Sequence, residues 1–174
     1  MVWTETADHA VCDSGPLIHL DELNALRALN GYRLLIPNVV CLEVERHREG
    51  VLGRLSEGWE RLAAAEPPGE ILRALQLSLA LDAGETEGLS LPRCLPESVF
   101  LTDDGAARVA AEHMGYRVHG TVGLLIRAVR RGKYSPQEAV AHLESIPRDS
   151  SLHIRSGLLS EILARVCDEW RISH

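Results

Sequence analysis

Short apolar runs in this chain end on an acidic residue and then pass at once into a helical pattern. His9-Ala-Val-Cys12 leads to Asp13 and then Ser-Gly-Pro; Ser98-Val-Phe-Leu-Thr102 leads to Asp103 and Asp104 and then Gly-Ala-Ala-Arg. Between them, Glu43 lies in a helical stretch just after Ile36-Pro37, and Glu85 and Glu87 open another after Ala83-Gly84. Strands alternating with helices predict a parallel-sheet α/β domain. In such a fold the carboxyl ends of the strands converge on one crevice. Carboxylates gathered there repel one another unless a cation holds them. Hard oxygen ligands suit Mg²⁺ or Mn²⁺, and the natural substrate of such a site is phosphate.

The element pattern follows from the punctuation. Val11-Cys12 ends a first buried strand, and Pro16 suits the first turn of a helix. Leu17, Leu20, Leu23 and Leu26 to Leu29 keep helical spacing until Asn30-Gly31. Arg33–Ile36 reads as a second strand, with Asn38 placed to cap the helix that carries Val39, Leu42, Glu43 and Arg46. From Gly50 to Gly69 the residues Leu52, Leu55, Trp59 and Leu62 suggest a helical period. A helix over 70–81 follows, and then the segment from Gly84 that Pro92 and Pro96 cut short. Strands are predicted at 98–102 and 116–119, with helices over 106–114 and from Gly120-Thr121 to Arg131. Ser135-Pro-Gln-Glu138 has the form of a capping box, and a last helix covers 156–170.

At 174 residues the chain is predicted to form one domain, 1–174, its C-terminal helices from about 135 packing on the core. A chain this long buries enough surface to fold without disulfides. The scattered Cys12, Cys41, Cys94 and Cys167 match no zinc spacing. No stretch reaches the 18 apolar residues of a membrane span, and the first ten residues lack the pattern of a signal peptide, so a cytoplasmic protein is expected. The net charge of −7 argues against broad, non-specific nucleic-acid binding. It leaves room for a nuclease, because bound divalent ions reverse the sign of an acidic cleft.

Several stretches together resemble the PIN-domain family, in its branch near the VapC-like toxin ribonucleases. Val11-Cys-Asp-Ser-Gly-Pro-Leu-Ile-His-Leu20 is similar to its opening D-S-S-P-L-I-x-L, and Ile36-Pro-Asn-Val-Val-Cys-Leu-Glu43 to its P-x-x-V-x-x-E. Gly84-Glu-Thr-Glu87 resembles G-E-x-E, and Phe100-Leu-Thr-Asp-Asp-Gly-Ala-Ala-Arg108 resembles T-D-D-x-x-x-R. His119-Gly-Thr-Val-Gly-Leu-Leu125 is similar to G-T-x-G-x-L, and Ile154–Leu159 also fits. The resemblance implies a PIN-like fold, a central parallel sheet flanked by helices, and metal-dependent cleavage of phosphodiesters, usually RNA. It maps the catalytic carboxylates onto Asp13, Glu43, one of Glu85 and Glu87, and Asp104, with Asp103 beside it, all of them candidate Mg²⁺ or Mn²⁺ ligands; the sequence does not choose between Glu85 and Glu87. It also implies a small antitoxin partner if the protein is a toxin, and often a homodimer.

Each of these residues has a plainer role to set against the chemical one. Asp13 and Asp104 can simply cap helices. Glu43 can be a solvated surface residue, and Glu85 and Glu87 favourable partners of a helix dipole. Ser14 and Thr102 can hydrogen-bond a neighbouring carboxylate, and Thr121 can cap its helix or meet a phosphate. Arg108 can pair with Asp104 one turn earlier or touch RNA. Arg127, Arg130, Arg131 and Lys133 form the one dense basic cluster, a candidate RNA contact or a helix C-terminus suited to its dipole.

Two departures from the family pattern stand out. Gly88 replaces a helix former after G-E-x-E, and Ser90-Leu-Pro-Arg-Cys-Leu-Pro96 interrupts that helix. They motivate a second function class: a catalytically weak PIN module that binds RNA or a protein partner. Two other acid-rich families fit less well. A haloacid-dehalogenase-type phosphatase needs an Asp where Gly15 stands, and a phospho-receiver domain needs its paired acids after the first strand.

Overall fold

A computed structural model describes residues 8–56, 58–63, 68–90 and 98–172. The element order is β1 (Asp8–Cys12), α1 (Ser14–Glu22), a 3₁₀ turn (Leu26–Leu29), β2 (Tyr32–Pro37), α2 (Asn38–His47) and α3 (Val51–Arg54). There follow β3 (Trp59–Leu62), α4 (Glu70–Leu79), α5 (Ala83–Ser90), β4 (Val99–Leu101), α6 (Gly105–His113) and β5 (Arg117–His119). The chain then runs through α7 (Thr121–Arg130), α8 (Pro136–Asp149) and α9 (Ser156–Trp170).

Five strands form one sheet in the order β3-β2-β1-β4-β5, every pair parallel. Parallel strands joined by helical crossovers are covered on both faces, which is why Ala10–Cys12, Leu34–Ile36 and Val99–Leu101 are apolar without a break. Alternate residues of each strand go to opposite faces. Ala10, Cys12, Leu34, Ile36, Val99 and Leu101 pack with Leu17 and Leu20 of α1, Val40 and Val44 of α2, and Leu124 and Leu125 of α7. Val11, Leu35 and Phe100 point the other way, onto Leu72 of α4, Leu89 of α5, and Ala107, Ala110 and Ala111 of α6. α8 and α9 extend the first of these layers through Ala139, Leu143, Ile146 and Leu159.

The strand order decides where a site can form. The chain leaves β1 toward β2 and β3, then crosses back to lay β4 on the other side of β1. Crossovers diverge between β1 and β4, and at their carboxyl ends a crevice opens. Asp13 follows β1 there, and Asp103 and Asp104 follow β4.

Three sequence expectations are corrected. The helical period through Leu52, Leu55, Trp59 and Leu62 is not one helix. α3 is a single turn, and Trp59–Leu62 is the edge strand β3, paired with Leu34 to Pro37. An edge strand four residues long with apolar residues only at its ends mimics a helical spacing. The first helix also does not run through to Leu29. Asn24 takes a left-handed conformation (φ 52°), Ala25 N–H bonds back to the Leu20 carbonyl, and a 3₁₀ turn carries the rest. Asn38, finally, does not cap α2: Pro37 occupies the cap position without a side-chain bond.

Past G-E-x-E, Gly88 does not break the helix. α5 continues through Gly88 to Ser90. A Cβ on Gly88 would lie 3.1 Å from the Phe100 ring and 3.6 Å from Pro37, so glycine lets α5 cross the sheet at close range. Pro92 and Pro96 lie outside the described residues.

Candidate active site

Asp13 and Asp104 do cap helices, and the caps aim them. The Asp13 carboxylate accepts from Ser14 N–H at 2.8 Å, at the start of α1, and Asp104 from Ala107 N–H at 2.8 Å, at the start of α6. One buried hydroxyl links the two turns. Thr102 Oγ1 donates to Asp13 Oδ2 at 2.8 Å and accepts from Asp104 N–H at 3.0 Å. Capping and chemistry are therefore compatible here: one carboxylate oxygen of Asp104 is held by its helix, and its side chain remains exposed.

The third acidic element resolves into two different roles. Asp82 and Glu85 form a reciprocal capping box at the start of α5: Glu85 N–H bonds to Asp82 Oδ1, and Asp82 N–H to Glu85 Oε2, each at 2.8 Å. Glu85 is thereby turned into the crevice beside Asp104. Glu87, two residues on, faces the other way and accepts from Val39 N–H at 3.2 Å. It supplies the cap that Asn38 does not. Gly84 permits the approach of α5 to α2, since a Cβ there would be 3.3 Å from Val40, 3.4 Å from Asp82 Oδ1 and 3.7 Å from Glu43 Oε2.

Asp103 is engaged on both oxygens. Thr121 N–H donates to Oδ1 at 2.7 Å, Thr121 Oγ1 to Oδ2 at 2.5 Å, and His19 Nδ1 lies 2.8 Å from Oδ2. The N-terminus of α7 thus meets an anion, a carboxylate of this chain, and Thr121 bonds that carboxylate rather than capping α7. Burial acts to raise the Asp103 carboxyl, yet these bonds from His19 and Thr121 outweigh it and hold it below the usual range. Arg108 does not pair with Asp104; its Nη2 donates to the Thr102 carbonyl at 3.3 Å and braces the end of β4.

Asp13, Ser14, Gly15, His19, Asp82, Glu85, Asp103 and Asp104 line one cleft with Ser151, Leu152 and His153, about 350 Å³ in volume. Its carboxylates are crowded. Burial, reinforced by the charges of Asp82 and Glu43, pushes Asp13 up to about 6 against the hydrogen bonds from Thr102 and Ser14. Burial and the charges of Asp82 and Asp104 push Glu85 up to about 7 against its bond from the Asp82 amide.

That crowding has a consequence for stability. A carboxyl whose folded pKa lies above its unfolded value binds more protons folded, so stability falls as pH rises from about 4.5 to 7. His119 and His142, which burial holds low, act oppositely across the same window. The signature is therefore a difference between proteins. Metal-free Glu85→Gln is expected to melt about 3 °C above wild type at pH 7.5 and level with it at pH 5. Thermal unfolding at the two pH values checks this, and equal melting temperatures at pH 7.5 contradict it.

Sequence reading passed over Asp82 and His19. Asp82 was visible as the first member of Asp82-x-x-Glu85, a capping box before a helix. His19 had no local signal, because its partner is 84 residues away. The basic cluster lies elsewhere. Arg127, Arg130 and Arg131 sit roughly 9–15 Å along α7 from Thr121, and Lys133 just past its end. Arg127 Nε bonds to the Tyr32 hydroxyl, Arg130 pairs with Glu169, Arg131 stacks over the Tyr32 ring at 4.0 Å, and Lys133 packs beside Gly31.

A parallel sheet with an acidic crevice at its switch point is the setting against which family membership can be judged. A family profile described as a PIN domain matches residues 9–168. The chain belongs to the PIN-domain family. PIN domains are generally nucleases and typically use divalent metals, which sets this protein's chemistry, coarsely, as hydrolysis of nucleic acid. No curated protein matches the chain. No helix among the described residues is long and apolar enough to cross a membrane.

Among the described residues, no three carboxylate, imidazole or thiol groups already converge on one point as metal ligands. The donor set nonetheless fits a hard divalent cation. Its members are carboxylate oxygens, two of them held up by burial and mutual repulsion that a cation would relieve.

Proposed function

We propose that this PIN domain is a Mg²⁺- or Mn²⁺-dependent endoribonuclease, acting as the toxin half of a toxin–antitoxin pair. The observation that carries the reading is the meeting of Asp13, Glu85 and Asp104, with Glu43 and Asp82 beside them, at the carboxyl ends of β1 and β4. When bound, the cation would activate a water and neutralise charge on the phosphoryl oxygens. Asp13, Glu85 and Asp104 would hold it, with Glu43 close enough to contribute through water. Thr102 keeps the Asp13 carboxylate in one orientation and ties it to the turn that bears Asp104. Asp103, engaged by His19 and Thr121, braces the crevice from beside the ligands. Ser14 lines the same cleft next to Asp13.

We infer one domain that includes α8 and α9, a cytoplasmic location, and a small antitoxin whose helix or extended tail covers the cleft. A homodimer is expected by likeness to toxins of this kind. Arg127 and Arg131 engage Tyr32 and Arg130 pairs with Glu169, which favours a structural role for these three over RNA contact. The binding-only alternative draws on Gly88 and on Ser90–Pro96; α5 runs through Gly88, and the stretch after Ser90 lies outside the described residues.

Glu85 and Glu87 separate the readings. Glu85→Gln is expected to lower metal-dependent cleavage of a mixed RNA pool by on the order of 100-fold. Glu87→Gln retains an acceptor for Val39 N–H and is expected to stay within about threefold of wild type. Cleavage that survives Glu85→Gln and is lost in Glu87→Gln overturns the assignment of the third acidic position. A wild-type protein that binds RNA but never cuts it supports the binding-only alternative.

A further inference from the structure

Beside the carboxylates of Asp13, Asp82, Glu85, Asp103 and Asp104, the cleft is lined by His19 of α1 and by Ser151 and His153 from the segment between α8 and α9. That segment is tied down by Glu22, three residues beyond His19. Its Oε2 accepts from Ser151 N–H at 2.6 Å, Ser151 Oγ at 2.9 Å and Ser150 Oγ at 3.2 Å.

His19 is held from one side and open on the other. Asp103, which already accepts from the amide and hydroxyl of Thr121, is an acceptor-only carboxylate, so His19 presents Nδ1–H to it across 2.8 Å. The second group thereby selects the tautomer and the ring orientation. In the neutral ring that leaves Nε2 as a hydrogen-bond acceptor. Nε2 has no partner among the described residues, and the ring lines the cleft. An acceptor on the lining of a phosphodiester site does not suit the phosphate, whose exposed oxygens are acceptors too. The backbone group that does suit it is a hydroxyl, and in nucleic acid that hydroxyl is the ribose 2′-OH, the feature that separates RNA from DNA.

We propose that His19, positioned by Asp103, accepts a hydrogen bond from a ribose 2′-hydroxyl and makes this cleft select RNA over DNA. The inference rests on the nuclease reading for its substrate class. It names His19 as the residue that sets specificity within that class.

The test uses the full chain carrying Asp104→Asn, so that substrate is not consumed. Fluorescence anisotropy compares a single-stranded RNA with the DNA of the same sequence and with RNA carrying single 2′-deoxy substitutions. RNA is expected to bind about fivefold or more tightly than DNA, with the difference traced to one or two 2′-hydroxyls. Adding His19→Ala should bring the RNA-to-DNA ratio within about twofold, and His19→Gln, which keeps an acceptor, should restore part of it. If His19→Ala fails to fold, His19→Gln and the single 2′-deoxy substitutions still decide the matter. An unchanged ratio in His19→Ala overturns the proposal, as does an equal loss for RNA and DNA, which would mean a phosphate contact. Absence of any RNA preference in the His19 protein also overturns it. Failure of the nuclease reading shows separately, as a wild-type protein that cleaves nothing with Mg²⁺ or Mn²⁺ whatever its binding ratio.

Discussion

Asp13→Asn and Asp104→Asn are each expected to reduce metal-dependent RNA cleavage by on the order of 10²–10³-fold while leaving the fold intact. The reasoning separates chemistry from capping. Asparagine is as good a helix cap as aspartate, so the bonds from Ser14 N–H and Ala107 N–H have an acceptor in either variant. With the one oxygen of the asparagine at position 13 taken by Ser14 N–H, its NH₂ group meets Thr102, whose hydroxyl then accepts that bond instead of donating it. What both variants lose is a negative charge on a hard oxygen ligand. Because burial and neighbouring charge hold Asp13 up to about 6, metal-free Asp13→Asn should melt at or above the wild-type temperature at neutral pH. Lost activity together with undiminished stability is the expected pairing. Loss of both would instead mark Asp13 as a structural residue.

Gly120→Ala is expected to be the most damaging single methyl group near the site. Its Cβ would stand 2.6 Å from Asp103 Oδ1, 3.0 Å from Arg108 Nη2 and 3.2 Å from the Thr102 carbonyl. Something must move, and each of those atoms holds part of the crevice in place. Displacing Asp103 breaks its bonds to the α7 amide and hydroxyl and frees His19. Overpacking and lost charge-assisted bonds together should cost about 2–3 kcal/mol, or a fall in melting temperature of roughly 5–10 °C. Gly123→Ala is the control, because a Cβ there makes only an ordinary contact 4.0 Å from His119. If Gly120→Ala melts like Gly123→Ala, the close packing around Asp103 is not what stabilises this end of the sheet.

The glycine of Gly120-Thr121 shows how much could be read without coordinates and where reading stopped. Runs that end in Asp13 and in Asp103-Asp104 were legible, because strand, cap and helix are local features. So were the Ser135-Glu138 capping box and the final helix, which ends at Trp170 as its spacing predicts. Glu87 was not. Its partner, Val39 N–H, lies 48 residues away, and nothing around Glu87 says that it caps α2. Gly88 looked like a defect because its reason is the Phe100 ring on a strand still to come. β3 was missed because an edge strand is half exposed and carries too few apolar residues to show its period. Position in the chain made the carboxylates legible; contact across the chain assigns their separate roles.

The central claim is that the crowded carboxylates at the switch point exist to hold a divalent cation. Titration calorimetry of Mn²⁺ into the purified full chain at pH 7.5 tests it most directly. Saturable binding to wild type, abolished by Asp13→Asn and Asp104→Asn and little changed by Glu87→Gln, is the predicted result. Absence of Mn²⁺ binding by the folded wild-type protein, or binding indifferent to both aspartates, would contradict it.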